Sequence, residues 1–135
     1  MSVINTKSRV PDYSDLDLDF IAKPGSKDIT KKIGEEAIKR SIRNIIFTNF
    51  YDRLFQPNIG SNIYRLLFSN VSDVTAILIS DAVKQVIKNF EPRCTVLAAD
   101  VTPSEDLNTY IVRITYTILN RPEPYITEIF LERIR

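Results

Sequence analysis

The spacing of apolar residues changes at Pro92, and this change constrains the fold more than any other feature of the sequence. Before Pro92, apolar residues recur at the three- and four-residue spacing of amphipathic helices. After it, they alternate with polar residues, as in strands that bury one face. Pro92 also ends the helical pattern, because the residue before a proline avoids helical dihedral angles. The sequence therefore predicts helices followed by a sheet.

Three helices are predicted before Pro92. The first covers residues 31–48, and a short one runs from a capping Ser61 to Phe68. The longest begins at Ser72 or Asp73, and its predicted core stripe comprises Val74, Ile77, Leu78, Ala82, Val86, Ile87 and Phe90. Residues 49–60 interrupt the helical pattern and predict a loop whose apolar anchors are Phe50, Tyr51, Leu54 and Phe55.

Three strands are predicted after Pro92. The first begins at Cys94 and ends at a turn over residues 102–106; the second covers residues 109–119. One face of that second strand carries Tyr110, Val112, Ile114, Tyr116 and Ile118. A rigid connection over residues 120–124 leads to a last strand from Tyr125 to Arg135. Short connections require antiparallel neighbours, so the fold class is α+β, with N-terminal helices packed on a small antiparallel C-terminal sheet.

Residues 1–30 read as an extended N-terminal arm, and residues 31–135 as a single α+β domain. In the arm, Leu16, Leu18 and Phe20 alternate with aspartates, which predicts one apolar face that lies against this domain or a neighbour. The aspartates lack the glycine and distal glutamate of a calcium loop, so no metal is predicted.

The predicted sheet has two edges, and its last strand is charged. Its charged side chains are Glu128, Glu132, Arg133 and Arg135. Charges of this kind either protect an open edge from aggregation or guide the strand of a partner onto it. The sequence leaves both interpretations open.

Composition excludes several classes of enzyme and ligand. Histidine is absent and Cys94 is the single cysteine, which excludes Ser-His and Cys-His catalysis, His-ligated metals and an intrachain disulfide. The net charge of +1 gives no general attraction to nucleic acid or an anionic membrane. No stretch has the length of a membrane span, and the N-terminus lacks a signal-peptide core, so we expect assembly in the cytoplasm. No cofactor is predicted.

The junction between the longest helix and the first strand of the sheet carries Glu91, Pro92 and Arg93. Proline makes this corner rigid and sets an acid and a base on either side of it. Arg93 fits an intramolecular role at the helix C-terminus, where orphan carbonyls and the helix dipole favour a cation. It also fits docking onto a carboxylate or backbone carbonyls of a partner, because the guanidinium is a rigid fork, but the residues alone favour the intramolecular role.

A glycosidase needs two carboxylates, and Glu91 and Asp100 have the Glu-x8-Asp spacing of a phage-type lysozyme motif. That motif also requires a threonine at the position that Asp106 occupies here. Further motif support is missing, so peptidoglycan hydrolysis is the alternative function and a non-enzymatic role is the main prediction.

Four blocks, in order along the chain, resemble one family. They are Tyr13–Phe20, Ala37–Asn44, Arg53–Ser61 with Leu66-Leu67-Phe68, and Asn89–Arg93. The family is the baseplate wedge proteins of contractile-tailed phages. It includes the T-even wedge subunit historically labelled a lysozyme and a related baseplate subunit of type VI secretion systems. The chain departs from the family pattern at residues 49–54, where the family often has a glycine-arginine-proline run.

The resemblance implies a structural role in a virion tail assembled in the host cytoplasm. Family members link the wedge core to the contractile sheath, and their fold is similar to the part of a sheath subunit that exchanges strands with its neighbours. Sheath assembly would then start by strand exchange on this chain. The resemblance also implies that Glu91, Pro92 and Arg93 bind the wedge. The expected partners are wedge core subunits and the sheath protein, with tube or hub proteins as further candidates.

Overall fold

The computed structural model describes residues 13–17, 19, 21–22, 24–25, 28–104 and 106–133. In chain order its elements are β1 (Ser14–Leu16), β2 (Lys31–Ile33), α1 (Glu35–Phe47), α2 (Ile63–Leu66), α3 (Asp73–Phe90), β3 (Cys94–Ser104), β4 (Thr109–Ile118) and β5 (Arg121–Glu132). The α+β class is confirmed. The predicted order needs correction, because two short strands precede the helices. The predicted roles of Leu18, Phe20 and Arg135 lie outside the described residues.

The chain divides into two compact units, Met1–Ala37 and Ile38–Arg135. In the first, β1 pairs antiparallel with β2. Residues 31–33 are therefore a strand, although the sequence predicts helix there. Gly34 explains the difference, since its φ of +66° is outside the helical range and α1 begins only after it. The boundary after residue 30 stays a prediction.

The alternating segment of the arm buries an aspartate. Asp17 is 4% exposed, whereas Leu16 is 59% exposed. The carboxylate of Asp17 accepts hydrogen bonds from the Thr30 hydroxyl at 3.0 Å and the backbone N–H of Asp19 at 3.2 Å. The ammonium of Lys32 lies 3.8 Å from it. Polar contacts thus hold this segment, and the described residues leave Leu16 exposed.

The second unit is organised around a three-stranded antiparallel sheet in the order β3-β4-β5. The predicted inner face of β4 is confirmed, because all five of its residues are buried: Tyr110, Val112, Ile114, Tyr116 and Ile118. Buried side chains of α1 and α3 complete the core. Helix α3 packs against β3, and α2 contacts α3.

Helix α3 begins where the sequence predicts but buries a different face. Ser72 is the N-cap, and its hydroxyl accepts the N–H of Thr75 at 3.2 Å. The buried residues are Thr75, Ala76, Ile79, Val83, Val86 and Ile87. The predicted stripe was wrong at Val74, Ile77 and Leu78, which are 69%, 62% and 49% exposed. Apolar residues surround the N-terminal half of α3, so periodicity alone does not identify the inner face.

Residues 49–60 form a loop as predicted, but the predicted apolar anchors were wrong. Phe50, Tyr51, Leu54 and Phe55 are exposed, the last two by 92% and 96%. Backbone hydrogen bonds hold the loop instead, from Tyr51 N–H to the Pro57 carbonyl (2.9 Å) and from Ser61 N–H to the Thr48 carbonyl (2.8 Å).

The predicted cap at Ser61 was also wrong. Asn62 precedes α2, and it makes no side-chain cap hydrogen bond. The Ser61 hydroxyl instead donates to the Ile46 carbonyl at 2.9 Å, in the interior. This serine therefore closes the base of the loop onto the end of α1.

Two predicted connections are part of the sheet. β3 continues through Pro103 to Ser104, and β5 already begins at Arg121. The turn between β4 and β5 uses Asn120 at φ +68°. Prolines favour the prediction of a break, but a proline is accepted in an outer strand where its missing N–H would point away from the sheet.

Candidate functional site

The corner between α3 and β3 brings the predicted residues Glu91 and Arg93 into direct contact. Glu91 follows the last turn of α3, where its N–H donates to the Ile87 carbonyl at 2.8 Å. Its side chain is 2% exposed. The Arg93 guanidinium donates two hydrogen bonds to the carboxylate, from Nε to Oε1 at 2.6 Å and from Nη2 to Oε2 at 2.7 Å. The two residues therefore form a bidentate ion pair across the proline.

The surroundings of Glu91 keep its carboxylate ionised. Burial alone would raise its pKa, because it removes water from the charge. Hydrogen bonds from Arg93 and from the Ser41 hydroxyl, together with the charge of Arg93, outweigh burial and leave the pKa lowered. Ser41 lies on α1, so the carboxylate ties the α3–β3 junction to that helix. Ser41 is not predictable from the sequence, because nothing in its local pattern distinguishes it from a solvent-facing serine.

The outward side of the corner consists of Pro92, which is exposed, and part of the Arg93 side chain, which is 23% exposed. Glu91 faces inward. Of the predicted partner-binding residues, Pro92 and Arg93 are thus accessible from outside, and Glu91 holds the guanidinium in place.

Cys94, the next residue, is a buried thiol. Burial and the neighbouring negative charge of Glu91 raise its pKa to about 12, against a smaller opposite effect of Arg93. The thiolate, which is the reactive form, is therefore strongly disfavoured.

Glu91 and Asp100 do not have the properties of a glycosidase pair. A general acid must be protonated at working pH and must reach the substrate. Glu91 is buried, its pKa is lowered and its carboxylate is engaged by Arg93. Asp100 lies on the exposed face of β3, opposite Arg113 of β4. The described residues also contain no cluster of three or more His, Cys, Asp or Glu side chains arranged to hold a metal ion.

The outer edge of β5 carries backbone groups that point away from the sheet. Just past the strand, the Arg133 N–H donates to the Asn108 carbonyl at 2.8 Å. This hydrogen bond shows which alternate residues of β5 direct their N–H groups toward β4. The register is unbroken from Glu132 back to Tyr125, so every second residue counted back from Arg133 directs its N–H toward β4. The N–H groups of Ile126, Glu128, Phe130 and Glu132 consequently face outward. No other described strand pairs with this edge.

The outer edge of β3 is occupied in part. The Leu119 N–H donates to the Arg93 carbonyl at 2.9 Å, and from this the register places Ala99, Val101 and Pro103 facing outward. The Ser80 hydroxyl of α3 donates to the Ala99 carbonyl at 2.6 Å. Pro103 has no N–H to offer. Both features reduce what a further strand could pair with here.

No helix in the described part of the chain has the length and apolar character needed to cross a membrane.

The chain is similar to proteins of one known family. The model of the family "Baseplate wedge protein gp25" matches residues 33–123. Baseplate wedge protein gp25 of Enterobacteria phage T4 is 32% identical over 111 residues, which cover 82% of this chain and 83% of that protein.

Two solved structures share the fold. A protein of Geobacter sulfurreducens described as a candidate tail lysozyme superposes with a TM-score of 0.69 at 26% identity, covering 75% of this chain and 92% of that one. A chain in the baseplate of the anti-feeding prophage gives a TM-score of 0.63 at 14% identity, covering 92% of this chain and 88% of that one.

Proposed function

The chain belongs to the baseplate wedge protein family and is a structural component of a phage tail or related baseplate, and we propose that it joins the wedge core to the contractile sheath. In this proposal the outer edge of β5 starts the sheath by accepting a strand from a sheath subunit. The corner of Glu91, Pro92 and Arg93 binds the wedge core subunits. Assembly takes place in the host cytoplasm, and tube or hub proteins are further partners.

The observation that carries the proposal is the difference between the two sheet edges. β5 presents four outward N–H groups between Ile126 and Glu132 with no described strand against them. An extended partner segment would extend the sheet, with main-chain hydrogen bonds supplying affinity and register. The exposed side chains of Ile126, Glu128 and Phe130 would then supply specificity, because they project from alternate positions of the same strand.

The corner suits a second attachment point, because its outward groups are held rigidly. Pro92 restricts the backbone, and the Glu91 carboxylate fixes the Arg93 guanidinium through two hydrogen bonds. A side chain that is already ordered loses less conformational entropy on binding than a free one. Glu91 acts here as a positioning residue, since it is buried.

A non-enzymatic role fits the lowered pKa and the burial of Glu91. Peptidoglycan hydrolysis remains the alternative, and the structural likeness to the Geobacter protein is what favours it. A turbidity assay on purified protein, with Glu91→Gln and Asp100→Asn as controls, separates the two. We expect no clearing of peptidoglycan; clearing that both substitutions abolish would establish the enzyme.

The edge of β5 is tested by Glu128→Pro, which removes an outward N–H, with Glu128→Ala as the matched control. Both variants lose the exposed ion pair of Glu128 with Arg113, so only the backbone differs between them. We expect both to fold, as judged by circular dichroism, and only Glu128→Ala to give sheathed tails in electron micrographs. Sheathed tails formed by a folded Glu128→Pro variant would refute strand exchange at this edge.

The corner is tested by Arg93→Lys, which keeps the charge but removes the fork. Lys88→Ala changes another exposed cation near the end of α3 and serves as the control. We expect Arg93→Lys to remain monomeric and folded but to enter baseplates in smaller amounts than the control. Equal incorporation would contradict wedge binding at the corner while leaving the β5 proposal untouched.

A further inference from the structure

Helix α3 has a second apolar face that the described residues leave exposed. Val74, Ile77 and Leu78 occupy successive helical positions i, i+3 and i+4, and about half or more of each side chain is exposed. The opposite side of the same turns is buried through Ala76 and Ile79. A helix that is apolar all round is characteristic of a segment buried on all sides. We call Val74, Ile77 and Leu78 the outer face of α3.

Negative charge borders this outer face. A groove of about 470 Å³ runs between α3 and β3 and is lined in part by Ile77, Asp73, Asp81 and Asp100. Lys84 is the one cation among its lining residues. None of the three aspartates forms an ion pair with another described residue. The surface thus has an apolar centre and a margin in which three carboxylates outnumber one ammonium group.

These features restrict what can bind there. An added strand is disfavoured, because on the adjoining edge of β3 the Ala99 carbonyl is bonded to Ser80 and Pro103 lacks an N–H. A second copy placed face to face is disfavoured as well, since a two-fold contact would bring the acidic margins together. A helix can place an apolar ridge between the side chains of the outer face and direct cations at the aspartates.

We propose that the outer face of α3 binds an amphipathic helix from another baseplate protein, with lysine or arginine flanking its apolar stripe. The proposal rests on baseplate membership and not on strand exchange at β5. It is also separate from the corner, because the outer face occupies the N-terminal half of α3 and the corner follows its C-terminal end.

Site-specific photo-cross-linking in assembled tails tests the proposal. In cells that produce tails, a benzophenone amino acid replaces Ile77 in one variant and Lys88 in another; Lys88 is an exposed residue about three turns further along the same helix. After irradiation of purified baseplates, mass spectrometry should join position 77 to a helical segment with basic residues within a turn of the link. Position 88 should not reach that segment. Baseplates suffice for this experiment, so it remains informative even if sheath initiation fails.

Three outcomes of the cross-linking would overturn the proposal. They are a link between two copies of this chain, a link to an extended or acidic segment, and no link from baseplates that contain the chain.

Substitutions provide an independent measurement. Ile77→Asp should lower the amount of chain in purified baseplates by at least about tenfold, as for a residue central to an interface. Asp81→Lys should lower it less, and Lys88→Asp should leave it unchanged. Because Ile77 is largely exposed in the isolated chain, the melting temperature of Ile77→Asp should match that of the unaltered protein. Full incorporation of both Ile77→Asp and Asp81→Lys would refute the proposal.

Discussion

The two outer strands of the sheet, β3 and β5, differ in what lies beside them. Each pairs with β4 along about ten residues, and each contains proline. Helix α3 packs on β3 and Ser80 donates to the Ala99 carbonyl, whereas no described strand pairs with the outer side of β5. An edge of this sheet is therefore available for pairing where a neighbouring element is absent, and the composition of the strand does not decide it.

The prolines sharpen this contrast. Pro103 lies at an outward position near the end of β3, and Pro124 lies at an outward position near the start of β5. Pro124 restricts pairing at one end of β5 and leaves the stretch from Ile126 to Glu132 available. Pro103 therefore removes a donor from an edge on which α3 already occupies the Ala99 carbonyl, whereas Pro124 only limits the length of the open edge of β5.

The largest expected effect comes from placing a proline at a position of β5 whose N–H faces β4. Ile129→Pro removes an N–H that faces β4, and we expect it to lower the free energy of unfolding by more than about 3 kcal/mol. Glu128→Pro, one residue away, should change it by no more than about 1 kcal/mol. Urea denaturation of both variants measures the difference.

Ile129→Ala serves as the control for the buried side chain that Ile129→Pro also removes. Equal stability of the two proline variants would show that the outward-facing N–H groups of β5 have been assigned to the wrong residues.

The next effect concerns the corner that starts β3. Arg93→Ala should lower the free energy of unfolding by about 3 kcal/mol, because it leaves the buried Glu91 carboxylate without its cation. Replacing both residues, as in Glu91→Met with Arg93→Met, should restore much of that loss, since no buried charge then remains. Thermal and urea denaturation measure both.

A loss below about 1 kcal/mol for Arg93→Ala would mean that solvent already screens the pair and that the corner does not stabilise β3. The expected instability is also why Arg93→Lys, and not Arg93→Ala, is the appropriate variant for testing wedge binding.

The fold was largely predictable, because the spacing of apolar residues and the residues that end helices and strands act locally. The inner face of β4 and the cap at Ser72 follow from alternation and from capping chemistry. The contact of Glu91 with Arg93 lies within three residues, so the sequence could at least bring the two together at a corner. Family resemblance, and not periodicity, supplied the baseplate role.

Other features depend on contacts between residues far apart in sequence. Ser41 and Ser80 bond to partners on other elements, and no local pattern distinguishes them from exposed serines. The inner face of α3 was misjudged because Ile77 and Ile79 are equally apolar, and only the position of the sheet decides which is buried. Which sheet edge stays open likewise depends on where α3 lies.

Acid should weaken the corner of β3 before it affects the β5 edge, where no described residue has a buried carboxylate. The folded-state pKa of Glu91 is lowered, so the unfolded chain binds a proton first as the pH falls. The stabilisation of the folded chain by the ionised Glu91 carboxylate is fully present above the unfolded-state pKa of about 4.3. It is lost as the pH falls through the lower folded-state pKa. Glu91→Gln should show a shallower loss of melting temperature below about pH 4.5. Parallel profiles of the two proteins would contradict this assignment.

The smallest expected effect tests the closed edge directly. Ser80→Ala removes the hydroxyl that donates to the Ala99 carbonyl, and we expect a loss of about 1 kcal/mol in the free energy of unfolding. Asp81→Ala, at the exposed neighbouring position, controls for a general effect on α3.

In Ser80→Ala the Ala99 carbonyl needs water or another donor, and a strand from a second molecule can supply one. If α3 closes this edge, Ser80→Ala should raise the tendency to self-associate in sedimentation experiments, and Glu128→Pro should not. An unchanged monomer would mean that the body of α3, and not its hydroxyl, keeps further strands away from β3.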